Sequence, residues 1–202
     1  MEQQTVLLTG FGPFYNHPVN ASWEIVKKIK QLWSNEVVNL EIREIPVVYS
    51  EVSSRVPNLY GELRPSLCVH FGVSGYDTVT LENHGKNYGY KLLDVAGQTP
   101  PHNLCVVGGP DCIKTKFDLG RICSKYGETG TGVDIATSED AGRYLCDFIY
   151  YTSLHQGGAP VLFVHVPPLN NPYSLKQLAA ACKRIVEILI EEVQGIKVDE
   201  MM

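Results

Sequence analysis

The stretch Pro160-Val-Leu-Phe-Val-His-Val166, closed by Pro167-Pro168, carries the strongest fold signal in the chain. Residues 67–73, Leu-Cys-Val-His-Phe-Gly-Val, form a second nearly continuous apolar run. Short runs of this kind are typical of strands that are buried on both faces of a sheet, and such strands belong to parallel sheets covered by helices. The two runs therefore predict the centre of an α/β fold.

Predicted strands alternate with predicted helices along the whole chain. Strands are expected at 5–9, 38–47, 67–73, 78–82, 133–137 and 160–166, and helices at 21–33, 50–63, 117–126, 143–154 and 174–194. Residues 83–115, rich in Gly, Pro, Asn and His, indicate a loop or hairpin excursion. Because strands joined by crossover helices pair in parallel, the pattern predicts a mostly parallel sheet between helices.

Three residue patterns mark the ends of helices. Asn20 is a suitable N-cap for the first helix. Ser174-Leu-Lys-Gln177 is a capping box that begins the last helix. Gly195 is expected at the position that follows the end of that helix.

Composition restricts the class of protein. The 202 residues predict one domain, 1–202, with 44% hydrophobic and 19% charged residues, as in ordinary globular proteins. A net charge of −5 argues against nucleic acid as a partner, since nucleic-acid-binding proteins normally have a basic face. No apolar stretch approaches the roughly 18 residues of a membrane span, and the N-terminus lacks the basic region of a signal peptide. We therefore expect a cytosolic protein with no membrane partner.

The cysteines do not predict a metal site or a disulfide scaffold. They stand at positions 68, 105, 112, 123, 146 and 182, with no C-x-x-C pair. Zinc sites need closely spaced Cys or His residues, and no H-E-x-x-H motif is present. We expect no metal and no cofactor, and the ordinary expectation for each thiol is a reduced, buried side chain.

Cys146 is the first candidate for chemistry. It ends the block Ser138-Glu-Asp-Ala-Gly-Arg-Tyr-Leu-Cys146, in which a strand gives way to a helix. If the helix begins near Gly142, Cys146 lies close to the first turn, where exposed N–H groups favour a thiolate. If Ser138 is the N-cap, Cys146 lies deeper and that effect fades. The alternative role is a core cysteine on an aromatic helix face.

His165 and Glu82 are the candidates that would complete a catalytic group. His165 is followed by one valine before a pair of prolines, whereas His70 lies in the middle of its strand. In open α/β sheets, functional groups collect beyond the carboxyl ends of the strands, which places His165 nearer the crevice. Glu82 ends the strand at 78–82 and could orient an imidazole from the same edge. Cysteine, histidine and carboxylate there would supply a nucleophile, a base and an orienting group.

The loop Gly10-Phe-Gly-Pro-Phe-Tyr15 has a different chemistry from a dinucleotide-binding loop. The third glycine of the G-x-G-x-x-G pattern is replaced by Tyr15, and Pro13 removes an N–H donor. Two phenylalanines at the mouth of a crevice suit an apolar ring better than a pyrophosphate.

The motifs together resemble those of the pyroglutamyl-peptidase I family, cytosolic cysteine omega-peptidases, and indicate an animal-type member. In family order, the blocks that carry the resemblance are Thr9-Gly-Phe-Gly-Pro-Phe14 with Asn20-Ala-Ser22, Gly72-Val-Ser-Gly75 leading to Thr80-Leu-Glu82, the Cys146 block, and Phe163-Val-His165-Val-Pro-Pro168. They extend over essentially the whole chain, and the Cys146 block is the most specific.

The resemblance implies a three-layer α/β/α sandwich of the phosphorylase/hydrolase-like kind, with a mostly parallel mixed central sheet. It implies Cys146 as nucleophile, His165 as base and acid, and Glu82 as the orienting carboxylate. The family releases N-terminal pyroglutamate from small peptides through a thioester, as a monomer or homo-oligomer. The substrate-binding residues that it implies are Phe11 and Phe14, which would sandwich the lactam ring, and Asn20, Tyr144 and Leu145.

Two alternatives stay open at this point. Asn83 and His84 follow Glu82, where the family usually has a basic and then an apolar residue, and this departure would fit an inactive lactam- or peptide-binding relative. A phosphorolytic nucleoside enzyme on a similar sandwich is the second alternative, by analogy of fold alone. It would need an anion site, which the sequence does not display.

Overall fold

The computed structural model describes residues 4–15 and 18–199. The strands are β1 (Gln4–Phe11), β2 (Val38–Ile45), β3 (Leu67–Val73), β4 (Val79–Glu82), β5 (His84–Lys86), β6 (Cys112–Lys114), β7 (Ile135–Ser138) and β8 (Val161–Val166). The helices are α1 (Ala21–Leu32), α2 (Tyr49–Leu63), α3 (Leu119–Gly127), α4 (Leu145–Gln156) and α5 (Leu175–Asp199), with a short 3₁₀ turn at Pro101–Asn103. No helix among these residues is long and apolar enough to span a membrane.

Six strands form one mixed sheet in the order β2-β1-β3-β8-β4-β7. All neighbouring pairs are parallel except β4 and β8, which run antiparallel. This confirms the predicted mostly parallel, mixed sheet. The carboxyl ends of β4 and β7 consequently lie at the opposite edge from those of β1, β3 and β8.

The central strand β8 shows how one sheet serves two cores. Successive side chains of a strand point to opposite faces, and Leu162 and Val164 belong to a core with α1, α3 and α5. Val161 and Phe163 point the other way, into a core with α2 and α4. The helices thus cover both faces of the sheet, which is the predicted α/β/α sandwich.

Two of the three predicted helix ends are confirmed. The Asn20 side chain accepts from the Ser22 N–H at 3.1 Å. The Ser174 hydroxyl accepts from the Gln177 N–H at 3.3 Å, and the Gln177 side chain accepts from the Ser174 N–H at 3.1 Å. The end predicted at Gly195 is wrong, because α5 continues to Asp199. A helical glycine costs only about 1 kcal/mol relative to alanine, too little to end a helix anchored by core residues up to Val193.

Residues 83–115 form the predicted hairpin excursion. Its base is the antiparallel pair of β5 and β6, which packs against α4. Further along, Asp94 accepts from the backbone N–H groups of Ala96 and Gln98, and its second oxygen accepts from the Tyr49 N–H at 2.9 Å. These bonds fix the excursion to α2 and α4, on the side of the sheet that carries the candidate site.

Candidate active site

Cys146 lies in the first turn of α4. The helix begins at Leu145 with Tyr144 as its N-cap, and the Tyr144 side chain forms no capping hydrogen bond. Ser138 instead accepts from the Asp140 N–H at 3.1 Å in the preceding turn, so the late helix start is the correct alternative. The first backbone N–H groups of α4, including that of Cys146, therefore have no intrahelical partner.

His165 and Glu82 form a buried pair beside that turn. The Nδ1 atom of His165 lies 2.7 Å from the Glu82 Oε1 atom, and the two residues are 6% and 0% exposed. Tyr150 donates to the Glu82 backbone carbonyl at 2.8 Å, which ties the end of β4 to α4. Since Nδ1 faces the carboxylate, the Nε2 atom of the ring is left for Cys146.

The position of Glu82 differs from the predicted one at the crevice edge. Glu82 pairs with Phe163 across the antiparallel strands, two residues before His165, rather than standing at the crevice edge. Glu82 and His165 therefore point to the same face of the sheet, with the carboxylate beneath the ring. The predicted meeting of the two side chains is confirmed, but the predicted shared edge is wrong.

Gly72 creates the space in which sulfur and imidazole meet. It pairs with His165 in the β3–β8 register. A Cβ atom there would lie 2.7 Å from the Cys146 Sγ atom and 2.6 Å from the Phe163 ring, closer than real contacts allow. Gly72 was not among the residues predicted to form the site, although an isolated glycine inside a strand pattern is a recognised signal of close approach.

The charge of His165 is set by its two neighbours. Burial lowers the pKa of the ring, but the hydrogen bond and charge of Cys146, followed by those of Glu82, raise it to about 10. An imidazole with this pKa is protonated at neutral pH. The arrangement therefore favours an imidazolium held between a sulfur and a carboxylate.

A small apolar pocket opens next to the sulfur, with a volume of about 80 Å³. One water needs roughly 10–15 Å³ of such space, so a group of several heavy atoms fits. All five predicted binding residues line the pocket, namely Phe11, Phe14, Asn20, Tyr144 and Leu145, together with Cys146. Val47 and Val73, which the sequence analysis did not single out, complete the lining.

Hydrogen bonds hold the phenylalanine loop in place. Asn20 donates through Nδ2 to the Gly12 carbonyl at 3.0 Å, and its Oδ1 atom accepts from the Ser22 hydroxyl at 2.8 Å. The Ser22 hydroxyl oxygen accepts in turn from the Phe11 N–H at 3.0 Å. The Asn20-Ala-Ser22 motif therefore acts on the shape of the pocket, since it fixes the backbone that carries Phe11.

The excursion is tied to the opposite wall of the pocket. The hydroxyl groups of Tyr15 and Tyr144 donate to the Leu93 carbonyl at 2.7 and 3.2 Å. The Tyr144 ring also packs edge-on against Tyr49, with centroids 6.0 Å apart. These contacts hold Tyr144 next to the nucleophile candidate.

Asn83 and His84, the two residues that depart from the family pattern, lie outside the pocket. The Asn83 side chain donates to Glu139 at 2.8 Å, and the His84 Nδ1 atom lies 2.6 Å from the other oxygen of the same carboxylate. Neither residue lines the pocket beside Cys146. Within the described residues, no group of three or more His, Cys, Asp or Glu side chains could hold a metal ion.

Comparison with known proteins gives the family. A sequence model of the pyroglutamyl peptidase family matches residues 4–198. The chain is 45% identical over 201 residues to mouse pyroglutamyl-peptidase 1, with 96% of each chain covered. It is also 45% identical over 194 residues to the human protein of that name, with 95% of this chain and 93% of the human chain covered.

Solved structures agree with this result. A pyrrolidone carboxyl peptidase from Fervidobacterium islandicum superposes with a TM-score of 0.84 at 27% identity, covering 93% of this chain and 99% of that one. The fold alone is shared with the pyrrolidone carboxyl peptidase of Thermococcus litoralis, at a TM-score of 0.85 and 20% identity, with 95% and 96% of the chains covered. With the full-length family match and the mammalian relatives, these findings establish that the chain belongs to the pyroglutamyl peptidase family, as an animal-type member.

Proposed function

We propose that Cys146, His165 and Glu82 are the catalytic triad with which this cysteine peptidase releases N-terminal pyroglutamate from peptides. The observation that carries the proposal is the imidazole of His165, which Glu82 holds at 2.7 Å and whose pKa the neighbouring Cys146 raises. A nucleophile, a base and a group that orients the base are the three parts that acyl transfer needs.

The reaction divides into two halves. In the first half, the Cys146 proton resides on His165, and the thiolate attacks the carbonyl carbon of the pyroglutamyl residue. The protonated ring then gives its proton to the leaving nitrogen, the C–N bond breaks, and a thioester with Cys146 remains. In the second half, His165 takes a proton from water, the hydroxide attacks the thioester, and pyroglutamic acid leaves as the thiol is restored.

The backbone at the start of α4 is suited to stabilising the oxyanion. Charge develops on the carbonyl oxygen when sulfur attacks, and preorganised N–H donors near that oxygen lower the barrier. The N–H of Cys146 and its neighbours in the first turn have no intrahelical acceptor, and the positive end of the helix dipole adds to them. The Tyr144 side chain does not cap these groups.

The pocket supports the choice of substrate. A pyroglutamyl terminus carries no ammonium group, because its nitrogen is part of a lactam, and none of the residues that the structure describes brings a charged side chain to the pocket lining. Phe11 and Phe14 supply aromatic surface for the ring. Asn20 uses one of its two amide hydrogens on the Gly12 carbonyl, which leaves the second for the lactam. A prolyl terminus would leave such polar groups unpaired and would be rejected on that ground.

We place the enzyme in the cytosol, acting on small peptides. All six cysteines belong to the described residues and are free, and Cys112 is exposed. Free and exposed thiols persist in the reducing conditions of the cytosol, which also preserve a cysteine nucleophile. The inactive alternative loses its support, because Asn83 and His84 are bound to Glu139 away from the pocket.

One assay tests the proposal. A fluorogenic pyroglutamyl amide should be cleaved and the matching prolyl amide should not. Cys146→Ala should lower kcat by roughly 10⁴-fold or more, as loss of a nucleophile does in other enzymes of this kind. Cys112→Ala is the matched control, since Cys112 is an exposed cysteine outside the pocket and its loss should leave the rate unchanged. Retained activity in Cys146→Ala would exclude the mechanism.

A further inference from the structure

A second depression adjoins the small pocket and has no role in the reaction as described so far. It has a volume of about 490 Å³ and shares Phe14, Asn20 and Val73 with the small pocket. We call this depression the outer groove. Its other walls come from Val19, Pro168 and Leu169, among others, and no charged side chain from the described residues lines it.

The outer groove lies at the ends of the strands that carry the site. Val73 ends β3 and Leu169 follows β8, four residues after His165. Val73 pairs with Val166, and the Ser74 N–H donates to the Val166 carbonyl at 3.0 Å, so the two strand ends leave the sheet together. The groove therefore begins where the proposed acid delivers its proton.

The chemistry of the substrate requires a surface at this place. The small pocket, at about 80 Å³, has room for the lactam ring but not for a second residue. The leaving nitrogen must lie near the His165 ring, and the rest of the peptide must continue from it outside the small pocket. Because the outer groove shares three lining residues with the small pocket and its described lining carries no charge, apolar side chains gain the most from burial in it.

We propose that the outer groove binds the residue that follows pyroglutamate, the first residue of the leaving peptide, and that it favours apolar over charged side chains there. This inference depends on the proposed function, because it assigns the neighbouring subsite of the same reaction. Val19 is the position at which the preference can be changed, since it lines the groove and is 57% exposed. A substitution at such an exposed site disturbs the fold little.

The test uses pyroglutamyl dipeptide amides that differ only in the second residue. The wild-type enzyme should cleave the leucyl compound about fivefold more efficiently in kcat/KM than the glycyl compound, as expected for partial burial of one aliphatic side chain. Val19→Lys should raise the ratio of kcat/KM for aspartyl over lysyl compounds about threefold, and Val19→Glu should lower it by a similar factor, the range of exposed charge pairs.

Val37→Lys and Val37→Glu are the matched controls. Val37 is a valine that is 74% exposed, and it precedes β2 at the opposite edge of the sheet. The same charge changes there should leave the aspartyl-to-lysyl ratio at its wild-type value. If the Val19 variants behave like the Val37 variants while every enzyme still cleaves, the groove does not hold the second residue and the inference is overturned. If the wild type cleaves no pyroglutamyl compound, the proposed function fails first, and the inference with it.

Discussion

His70 and His165 are buried histidines on neighbouring strands, and the structure makes one neutral and the other positively charged. They are 1% and 6% exposed, and both point toward α4. The partners of His70 among the described residues are neutral, namely the hydroxyls of Thr9 and Ser153 at 2.7 and 2.6 Å and the thiol of Cys68 at 3.4 Å, and burial lowers its pKa to about 3. His165 has a thiol and a carboxylate for partners, and its pKa rises to about 10. Burial alone therefore does not set the charge of a core histidine; its partners do.

The helix α4 supplies a partner to each ring. Ser153 contacts His70, and Cys146, seven residues earlier on the same helix, raises the pKa of His165. Seven residues correspond to two turns, or about 10 Å along the axis. One face of one helix thus presents a hydroxyl to a structural histidine and a thiol to the histidine proposed for catalysis.

The largest expected effect comes from exchanging each histidine for asparagine. The two exchanges should separate a catalytic role of His165 from a structural role of His70. His165→Asn should lower kcat per folded molecule by roughly 10³–10⁴-fold, because asparagine can neither take nor deliver the proton. His70→Asn should leave kcat per folded molecule unchanged and lower the free energy of unfolding by about 1–3 kcal/mol, the cost of buried groups left without partners. Urea unfolding and active-site titration measure the two quantities. A large loss of kcat in folded His70→Asn would mean that the two sites are coupled through α4.

The positions of the two histidines in their strands predicted that His165 lies nearer the crevice than His70. The sequence did not predict which side chains contact His70. His165 stands one residue before a proline pair, and His70 stands in mid-strand, so the chain itself separates a crevice site from a core site. The hydroxyl partners of His70 could not be predicted, because Thr9 and Ser153 lie 61 and 83 residues away along the chain. Such contacts depend on strand order and helix placement, which hydrophobic periodicity does not specify.

The direction of β4 was predictable from the length of the connection that precedes it. Only five residues, 74–78, connect β3 to β4. A parallel neighbour needs a crossover connection of about a dozen residues or more, so a link this short requires the antiparallel direction. With that direction, Glu82 lies beneath the His165 ring instead of at the crevice edge. The residues that the family motifs implied for binding all line one pocket, whereas the role of Gly72 and the outer groove needed the three-dimensional arrangement.

Removing the charge of Glu82 should lower the pKa of His165 in the direction of the low pKa of His70. Glu82→Gln keeps the size of the side chain, but its amide would donate to the Nδ1 atom and favour the tautomer that cannot accept the thiol proton. We expect kcat to fall by roughly 10²–10⁴-fold. The pKa of His165 should fall below its value of about 10, because the hydrogen bond and charge of Glu82 contribute to raising it.

The pKa is measured by NMR titration of the histidine ring signals. Comparison of Cys146→Ala with the double variant Cys146→Ala, Glu82→Gln isolates the contribution of the carboxylate from that of the sulfur. The His70 signal is the internal control, since that ring should stay neutral in both proteins across the neutral range. An unchanged His165 titration would mean that the carboxylate does not set the charge of the ring.

The smallest expected effect is on the pH dependence of stability, to which His70 and His165 should contribute slopes of opposite sign. The pKa of His70 is lowered on folding, so its contribution to stability is lost as pH falls from about 6.5 toward 3. The pKa of His165 is raised, so its contribution is complete below about 6.5 and is lost as pH rises toward 10. The largest slope for one group is about 1.4 kcal/mol per pH unit.

Urea unfolding of wild type, His70→Asn and His165→Asn from pH 5 to 9 measures both slopes as differences between proteins. The difference between wild type and His70→Asn should shrink on the acid side, and the difference between wild type and His165→Asn should shrink on the alkaline side. Burial also raises the pKa of Asp147, to about 6, but this carboxyl is present in all three proteins and cancels to first order. Curves that stay parallel across this range would contradict the opposite pKa shifts of the two rings, since a group with the same protonation in folded and unfolded chains adds no slope.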